Sequence, residues 1–153
     1  MNWDILIGII LSVILGGVIG LERELSGKPA GLRTNVLICV GAAVFTLISR
    51  YMGGTENDSI SRIAAQIVTG IGFLGAGAIM NDRGGIHGLT TAATIWLVAG
   101  IGMACGADLY SLAVIAAIVA VFVLSVLAKF EKIIKSRDDN KSKSDSSTHD
   151  KAV

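Results

Sequence analysis

Apolar residues dominate the first 128 positions, where they form five long runs separated by short polar segments. A membrane-spanning helix needs about 20 mainly apolar residues, and a run of about 18 with few charges already qualifies. The pattern therefore predicts an all-α membrane protein with about five transmembrane helices. The predicted spans are 5–21, 34–49, 63–80, 91–107 and 109–128.

The boundary between the last two spans rests on helix length, because positions 92–128 are almost continuously apolar. One helix through all of them would be about 55 Å long at about 1.5 Å per residue. The hydrocarbon core of a bilayer is only about 30 Å thick. We predict a break at which Gly106 ends one helix and Asp108 caps the next, as these residue types commonly do.

Composition supports a membrane domain followed by a polar tail. The chain is 52% hydrophobic and 16% charged, and seven of its 13 Lys and Arg residues lie after position 128. We predict a transmembrane domain over 1–128 and a disordered tail over 129–153, because the tail has too few apolar residues to build a core. The bilayer is the predicted partner. A net charge of +1 gives no reason to expect nucleic acid.

Basic residues near the span ends predict the orientation, since they favour the cytoplasmic side. Eight fall on one side and two on the other. This bias places the first linker, the 81–90 connector and the tail in the cytoplasm, and the N-terminus outside. The majority side holds Arg23, Lys28, Arg33, Arg83 and four cations of the early tail, and the other side holds Arg50 and Arg62.

Small residues recur at helical spacing in the first and third spans. In lipid, such stripes let two helix backbones approach closely. They predict helix packing, either within the chain or between protomers of a homo-oligomer. The stripe residues are Gly8, Ser12, Gly16 and Gly20 in the first span, and Gly72 and Ala76 in the third.

Polar side chains collect at the predicted cytoplasmic ends of the spans. Mg²⁺ prefers a few carboxylates and retained waters, so Glu22 and Asp82 are candidate metal ligands and Mg²⁺ is the one cofactor considered. Alternatively, charges collect there because they reach water, His87 is a solvated loop residue, and Thr90 and Thr91 are helix caps. The cluster comprises Glu22, Arg23, Arg33, Asn35, Asp82, His87 and Thr90.

The motifs give no support to an enzyme. Residues 70–75 spell GxGxxG, but a dinucleotide fingerprint follows a strand and this string lies inside a predicted span. The strings of metalloproteases and serine hydrolases do not occur. We predict a protein without catalytic activity.

Several strings together resemble the MgtC/SapB family of bacterial membrane proteins. They are GGVIGLER at 16–23, GLRTN at 31–35, RIAAQIV at 62–68 followed by GIGFLGAG at 70–77, and GLTTAAT at 88–94. The resemblance implies a multi-pass protein of the bacterial inner membrane with about five spans. It further implies a short form that lacks the family's C-terminal cytoplasmic domain.

The resemblance also implies a link to magnesium homeostasis and to virulence-associated or envelope stress, with action on other membrane complexes such as the F-type ATP synthase. The best-known members carry Asn where this chain has Thr90, so a partner contact through that amide is not carried over. Two hypotheses follow. The first is a regulatory membrane protein that binds other spans or copies of itself. The second is a Mg²⁺ transporter or channel with Glu22 and Asp82 at its cytoplasmic mouth.

Overall fold

The computed structural model describes residues 3–52, 57–82 and 85–127, with the side chains of 57–63 and Asp82 left out. This part of the chain holds five α-helices, a π-helical turn and a two-stranded hairpin. They are α1 (Trp3–Leu25), α2 (Leu32–Met52), α3 (Asn57–Gly77), β1 (Met80–Asp82), β2 (Gly85–His87), α4 (Leu89–Gly106), α5 (Tyr110–Phe122) and the π-helical turn Val123–Leu127.

The all-α membrane fold is confirmed. Four of the described helices, namely α1, α2, α4 and α5 with its π-helical extension, are long and apolar enough to cross a bilayer. The apolar part of α3 is shorter and covers Ala64–Gly77. Which side of the membrane each end occupies stays a prediction, and so does the boundary between membrane domain and tail. The chain divides into compact units of Met1–Val121 and Phe122–Val153, and the second is described only over Phe122–Leu127.

The predicted third span ends three residues too late, because α3 ends at Gly77 and the chain then enters a hairpin. Strands β1 and β2 are antiparallel, with Met80 opposite His87. Gly88 follows at φ 88°, in the left-handed region that glycine adopts readily, and a Cβ there would collide with the Ala78 carbonyl oxygen. The connector predicted at 81–90 is therefore partly strand, and its turn back to the helices requires glycine.

The first helix continues past its predicted end at Leu21 and stops at a glycine. Gly27 has φ 63°, its amide donates to Glu24 O at 3.0 Å, and the Lys28 amide donates to Arg23 O at 3.0 Å. This pair of bonds is a Schellman motif, which satisfies carbonyls of the last helical turn. As a consequence, Glu22 and Arg23 belong to the helix, and Arg23 is buried.

The break between α4 and α5 lies where it was predicted, but Asp108 has a different role. Its φ of 62° and the bond from the Leu109 amide to Ala104 O at 2.9 Å make it the left-handed residue that ends α4. That position usually holds glycine. Gly106 belongs to the last turn of α4, where a Cβ would collide with the Ala43 carbonyl oxygen.

The core forms where α1 and α4 pack against α2 with their backbones nearly touching. A Cβ built on Gly16 would lie 2.7 Å from the Cys39 Cβ, and one on Gly102 would collide with the Cys39 carbonyl oxygen. Cys39 itself is fully buried. The absence of a side chain at both glycines is therefore what allows the three helices to meet at this level.

The small-residue stripe of α1 faces the protein interior along its length. A Cβ on Gly8 would lie 2.8 Å from Cys105 O of α4, and one on Gly20 would lie 2.8 Å from the Leu32 Cα of α2. Between them, the fully buried Ser12 donates to the carbonyl of its own helix at Ile9, at 2.7 Å. The stripe thus packs within the protomer.

Helix α5 separates small and large side chains onto opposite faces. Ala113, Ala117 and Ala120 are buried, whereas Ile115 and Ile118 are each about 60% exposed. Large apolar side chains are exposed on the other long helices as well. Exposed apolar surface of this extent requires an apolar surrounding, and the bilayer supplies it.

Candidate functional site

Polar side chains from three helices are buried at the end of the bundle where α1 ends and where α2 and α4 begin. Arg23, Asn35 and Thr91 are each less than 5% exposed. The Arg23 Nη2 atom donates to Thr91 Oγ1 at 3.2 Å, which links α1 to the first turn of α4. We call these three residues the buried polar cluster.

Asn35 fastens the linker between α1 and α2. Its Nδ2 atom donates to the carbonyl oxygens of Ala30 and of Gly31, the latter at 2.9 Å. Ala30 has φ 56°, so this amide holds a backbone turn that alanine rarely adopts. The Oδ1 atom is buried and has no hydrogen-bond partner among the described residues.

The two glutamates near the cluster have local partners. Glu22 Oε1 accepts a hydrogen bond from Ser26 Oγ at 2.9 Å, while its Oε2 is buried without a partner in the described chain. Glu24 Oε2 accepts from the Leu32 amide at 2.8 Å, so Glu24 supplies an acceptor to the first turn of α2. Arg33, in the first turn of α2, is exposed.

The connector residues of the predicted cluster lie further out or outside the described side chains. His87 is exposed on β2, and Thr90 is exposed in the first turn of α4. Asp82 lies in β1, but its side chain is not described, so a Mg²⁺ site shared with Glu22 stays a prediction. Within 3–52, 57–82 and 85–127, no three His, Cys, Asp or Glu side chains converge as a metal-binding group.

The predicted cap of α4 is wrong, and the cluster member from this helix was assigned to the wrong threonine. The N-cap of α4 is Gly88, with no side-chain cap bond, so neither Thr90 nor Thr91 caps the helix. It is Thr91, one residue on, that contacts Arg23. The spacing of residues along α4 could have indicated that Thr91 is buried, because Thr91 lies on the same helix face as the buried Thr94 and Val98.

A second polar network closes the opposite end of the bundle. Arg50 Nη1 lies 2.6 Å from Asp108 Oδ2 and donates to Gly106 O at 2.9 Å. The Tyr110 hydroxyl lies 3.0 Å from Asp108 Oδ1 and 2.9 Å from the Asp4 carbonyl oxygen. The network joins α1, α2 and the α4–α5 turn. It was not predicted from the sequence, because Asp4, Arg50 and Asp108 are far apart along the chain.

The exposed face of α3 carries the other small residues of the predicted packing set. Gly72 and Ala76 are exposed, and a Cβ on Gly72 would meet no atom within 4 Å. Ala65 and Thr69 continue this face, and the Thr69 hydroxyl donates to its own helix at Ala65 O, 3.1 Å away. We call Ala65, Thr69, Gly72 and Ala76 the α3 small face.

Comparison with known proteins identifies the family. The model of the MgtC family matches residues 9–133, which include the buried polar cluster and, of the second network, Arg50, Asp108 and Tyr110. The chain belongs to the MgtC family. The resemblance in the sequence strings is thereby confirmed, together with the expectation of a multi-pass membrane protein.

Similar members of the MgtC family come from several bacteria. The "Putative magnesium transporter YhiD" of Escherichia coli (strain K12) is 46% identical over 133 residues, which cover 82% of this chain and 61% of the relative. "Protein MgtC" of Brucella abortus (strain 2308) is 47% identical over 80% of this chain and 49% of the relative. "Protein MgtC" of Salmonella typhimurium (strain LT2) is 49% identical over 74% of this chain and 48% of the relative.

This MgtC-family chain therefore spans about half to three fifths of the length of the curated relatives it matches. No solved structure matches it.

Proposed function

We propose that this chain is a non-enzymatic protein of the bacterial inner membrane that regulates other membrane proteins through helix–helix contacts, in a process linked to magnesium limitation or envelope stress. Membership of the MgtC family and the magnesium in the name of the Escherichia coli relative support the link to magnesium. The α3 small face carries the proposal, because it offers a close-packing surface that the described part of the protomer leaves open.

Small residues matter in lipid because there is no hydrophobic force between two helices there, and close backbone approach replaces it. The corresponding stripe of α1 is already used inside the protomer, where Gly16 meets Cys39. Gln66, one turn from Thr69, is also exposed, and an amide in an apolar surrounding gains from a protein partner. A second copy of the chain or another membrane complex, such as the F-type ATP synthase, could occupy the face.

We expect a photo-cross-linking residue at Thr69 to yield discrete protein products in bacterial membranes, and Gly72→Leu to lower that yield. A lost contact of about 1 kcal/mol corresponds to about a fivefold drop. Products are resolved by gel and identified by mass spectrometry, which separates a homo-oligomer from a different partner.

Two controls accompany this experiment. Gly41→Leu also adds a side chain where a Cβ meets no atom within 4 Å, but on α2, and should leave the yield unchanged. A photo-cross-linking residue at Ile115, on the exposed face of α5, measures how much product arises from a face that lacks the small residues of α3. Equal product yields from Thr69 and Ile115, or no effect of Gly72→Leu, would contradict the proposal.

The alternative function is transport of Mg²⁺, which the name of the Escherichia coli relative mentions. Glu22 Oε2 and Asn35 Oδ1 favour it, because both are buried oxygen acceptors without a partner in the described chain and Mg²⁺ binds such oxygens. The backbone contacts at Gly16 and Gly102 oppose it, because they leave no space for a hydrated ion between α1, α2 and α4.

For liposomes that contain the purified protein and a Mg²⁺-sensitive dye, we expect the influx rate to equal that of protein-free liposomes. Separate liposomes that contain a known Mg²⁺-conducting protein serve as the positive control for the dye. Influx above the protein-free rate that falls in Glu22→Gln but not in Glu24→Gln would instead support transport and reject the regulatory proposal.

A further inference from the structure

We propose that the first turn of α4 and the Arg23 guanidinium form a binding site for a phosphate group, carried either by an anionic phospholipid or by free inorganic phosphate. This inference is independent of the regulatory proposal, which rests on α3. It follows from two observations, namely an uncapped helix N-terminus and a buried arginine that contacts the same helical turn and has one donor without a partner in the described chain.

The N-terminus of α4 has free backbone donors. The first amide with a described acceptor is that of Ala92, which donates to Gly88 O at 2.9 Å. The amides before it, at 89–91, have no acceptor within an α-helix, and no side chain caps this end. Aligned peptide dipoles add about half a positive charge at a helix N-terminus, which favours an anion.

Arg23 supplies an independent indication of a ligand. It is 4% exposed, its Nε atom has no acceptor, and no carboxylate oxygen lies within 4.0 Å among the described residues. Its Nη2 atom donates to Thr91 Oγ1, so the guanidinium reaches the first turn of α4. No counter-ion for this charge lies among the described side chains, and a buried charge is costly to leave unpaired. In the proposed site an oxyanion accepts from Nε and from the helix amides together.

The donor set selects the chemistry of the ligand. A positive guanidinium and a helix N-terminus repel cations, whereas a phosphate offers several acceptor oxygens and pairs well with arginine. The exposed Thr90 and the half-buried Gly88 leave this end of the helix open. Because α4 is long enough to cross a bilayer, its first turn lies near the level of the lipid phosphates.

The test uses the full chain, delipidated in a neutral detergent, in two arms. In the first, inorganic phosphate is titrated against chloride at constant ionic strength and the melting temperature is followed. In the second, phosphatidylglycerol or neutral diacylglycerol is added and retained lipid is counted by native mass spectrometry. A shift in the first arm identifies free phosphate, and selective retention in the second identifies a lipid headgroup. A null result in both arms overturns the proposal.

Variants assign the binding to this site. Arg23→Gln should weaken binding about tenfold, because a charge-assisted hydrogen bond contributes about 1.5–3 kcal/mol. Thr91→Val keeps the side-chain shape but removes the oxygen that holds the Arg23 guanidinium in place, and it should weaken binding by a smaller factor. This variant tests the site if Arg23→Gln does not fold. The exposed Arg33 provides the charge-matched control Arg33→Gln, which should bind as wild type. Wild-type affinity in the Thr91 variant, or equal losses in Arg23→Gln and Arg33→Gln, would overturn the assignment.

Discussion

Gly102→Ala is expected to destabilise the protein by about 1–3 kcal/mol, the usual cost of adding a methyl group to a well-packed core. The new Cβ would collide with the Cys39 carbonyl oxygen and lie 3.0 Å from the Ala42 Cβ, both on α2. Backbone atoms cannot move aside as a side chain can, so α2 and α4 must separate. Thermal unfolding of the detergent-solubilised protein measures the loss.

Gly100→Ala is the matched control, because it makes the same change two residues away on the same helix. Gly100 is exposed, and a Cβ there would meet no atom within 4 Å. Alanine favours a helix by up to about 1 kcal/mol over glycine, so this variant should be as stable as wild type or slightly more so. Similar melting temperatures for the two variants would show that the α2–α4 contact is looser than described.

The second large effect is expected for Asn35→Asp, which changes the shape of the side chain very little. Asn35 is fully buried, and its Nδ2 atom donates to the carbonyl oxygens of Ala30 and Gly31. A carboxylate oxygen in that place would donate no hydrogen bond and would face the two carbonyl oxygens. Each buried polar group left without its hydrogen-bond partner costs about 1–3 kcal/mol, so the loss of both bonds should cost several times RT even if Arg23 of the same cluster offsets the new charge.

The exposed Asn81 on β1 provides the control Asn81→Asp, which introduces the same charge at the surface and should leave stability unchanged. Unfolding of both variants in mixed detergent micelles measures the difference. A stable Asn35→Asp protein would mean that water or the Arg23 guanidinium compensates the new charge, and the linker between α1 and α2 would then be held by other contacts.

The helices themselves follow from the sequence because runs of apolar residues leave few alternatives. The break near Asp108 was also predictable, since a longer helix would not fit a bilayer. The role of Asp108 was not, because an aspartate in the left-handed conformation looks in sequence like an ordinary helix cap. The end of α3 at Gly77 was missed for a similar reason: apolar residues continue to Met80, but the backbone has already turned into a hairpin.

The candidate site was predictable in part. Arg23 and Asn35 stood out as polar residues beside apolar runs, and the structure buries both. The orientation of Arg23 could not be foreseen, because a charge at the end of a span normally turns outward to water. It turns inward here because Gly20, one turn earlier, brings α1 against α2 and places the next position of the same face in the interface.

The network around Arg50 has a consequence for how the protein is made. Arg50 leaves the ribosome 56 residues ahead of Gly106, the carbonyl group to which it donates. At translation rates of about 5–20 residues per second, several seconds pass in which α1 and α2 can already pair through Gly16 and Gly20. During this time Arg50 has no Asp108 to pair with. The contacts that join α2 to the α4–α5 turn at this end of the bundle can therefore form only after that turn has been synthesised.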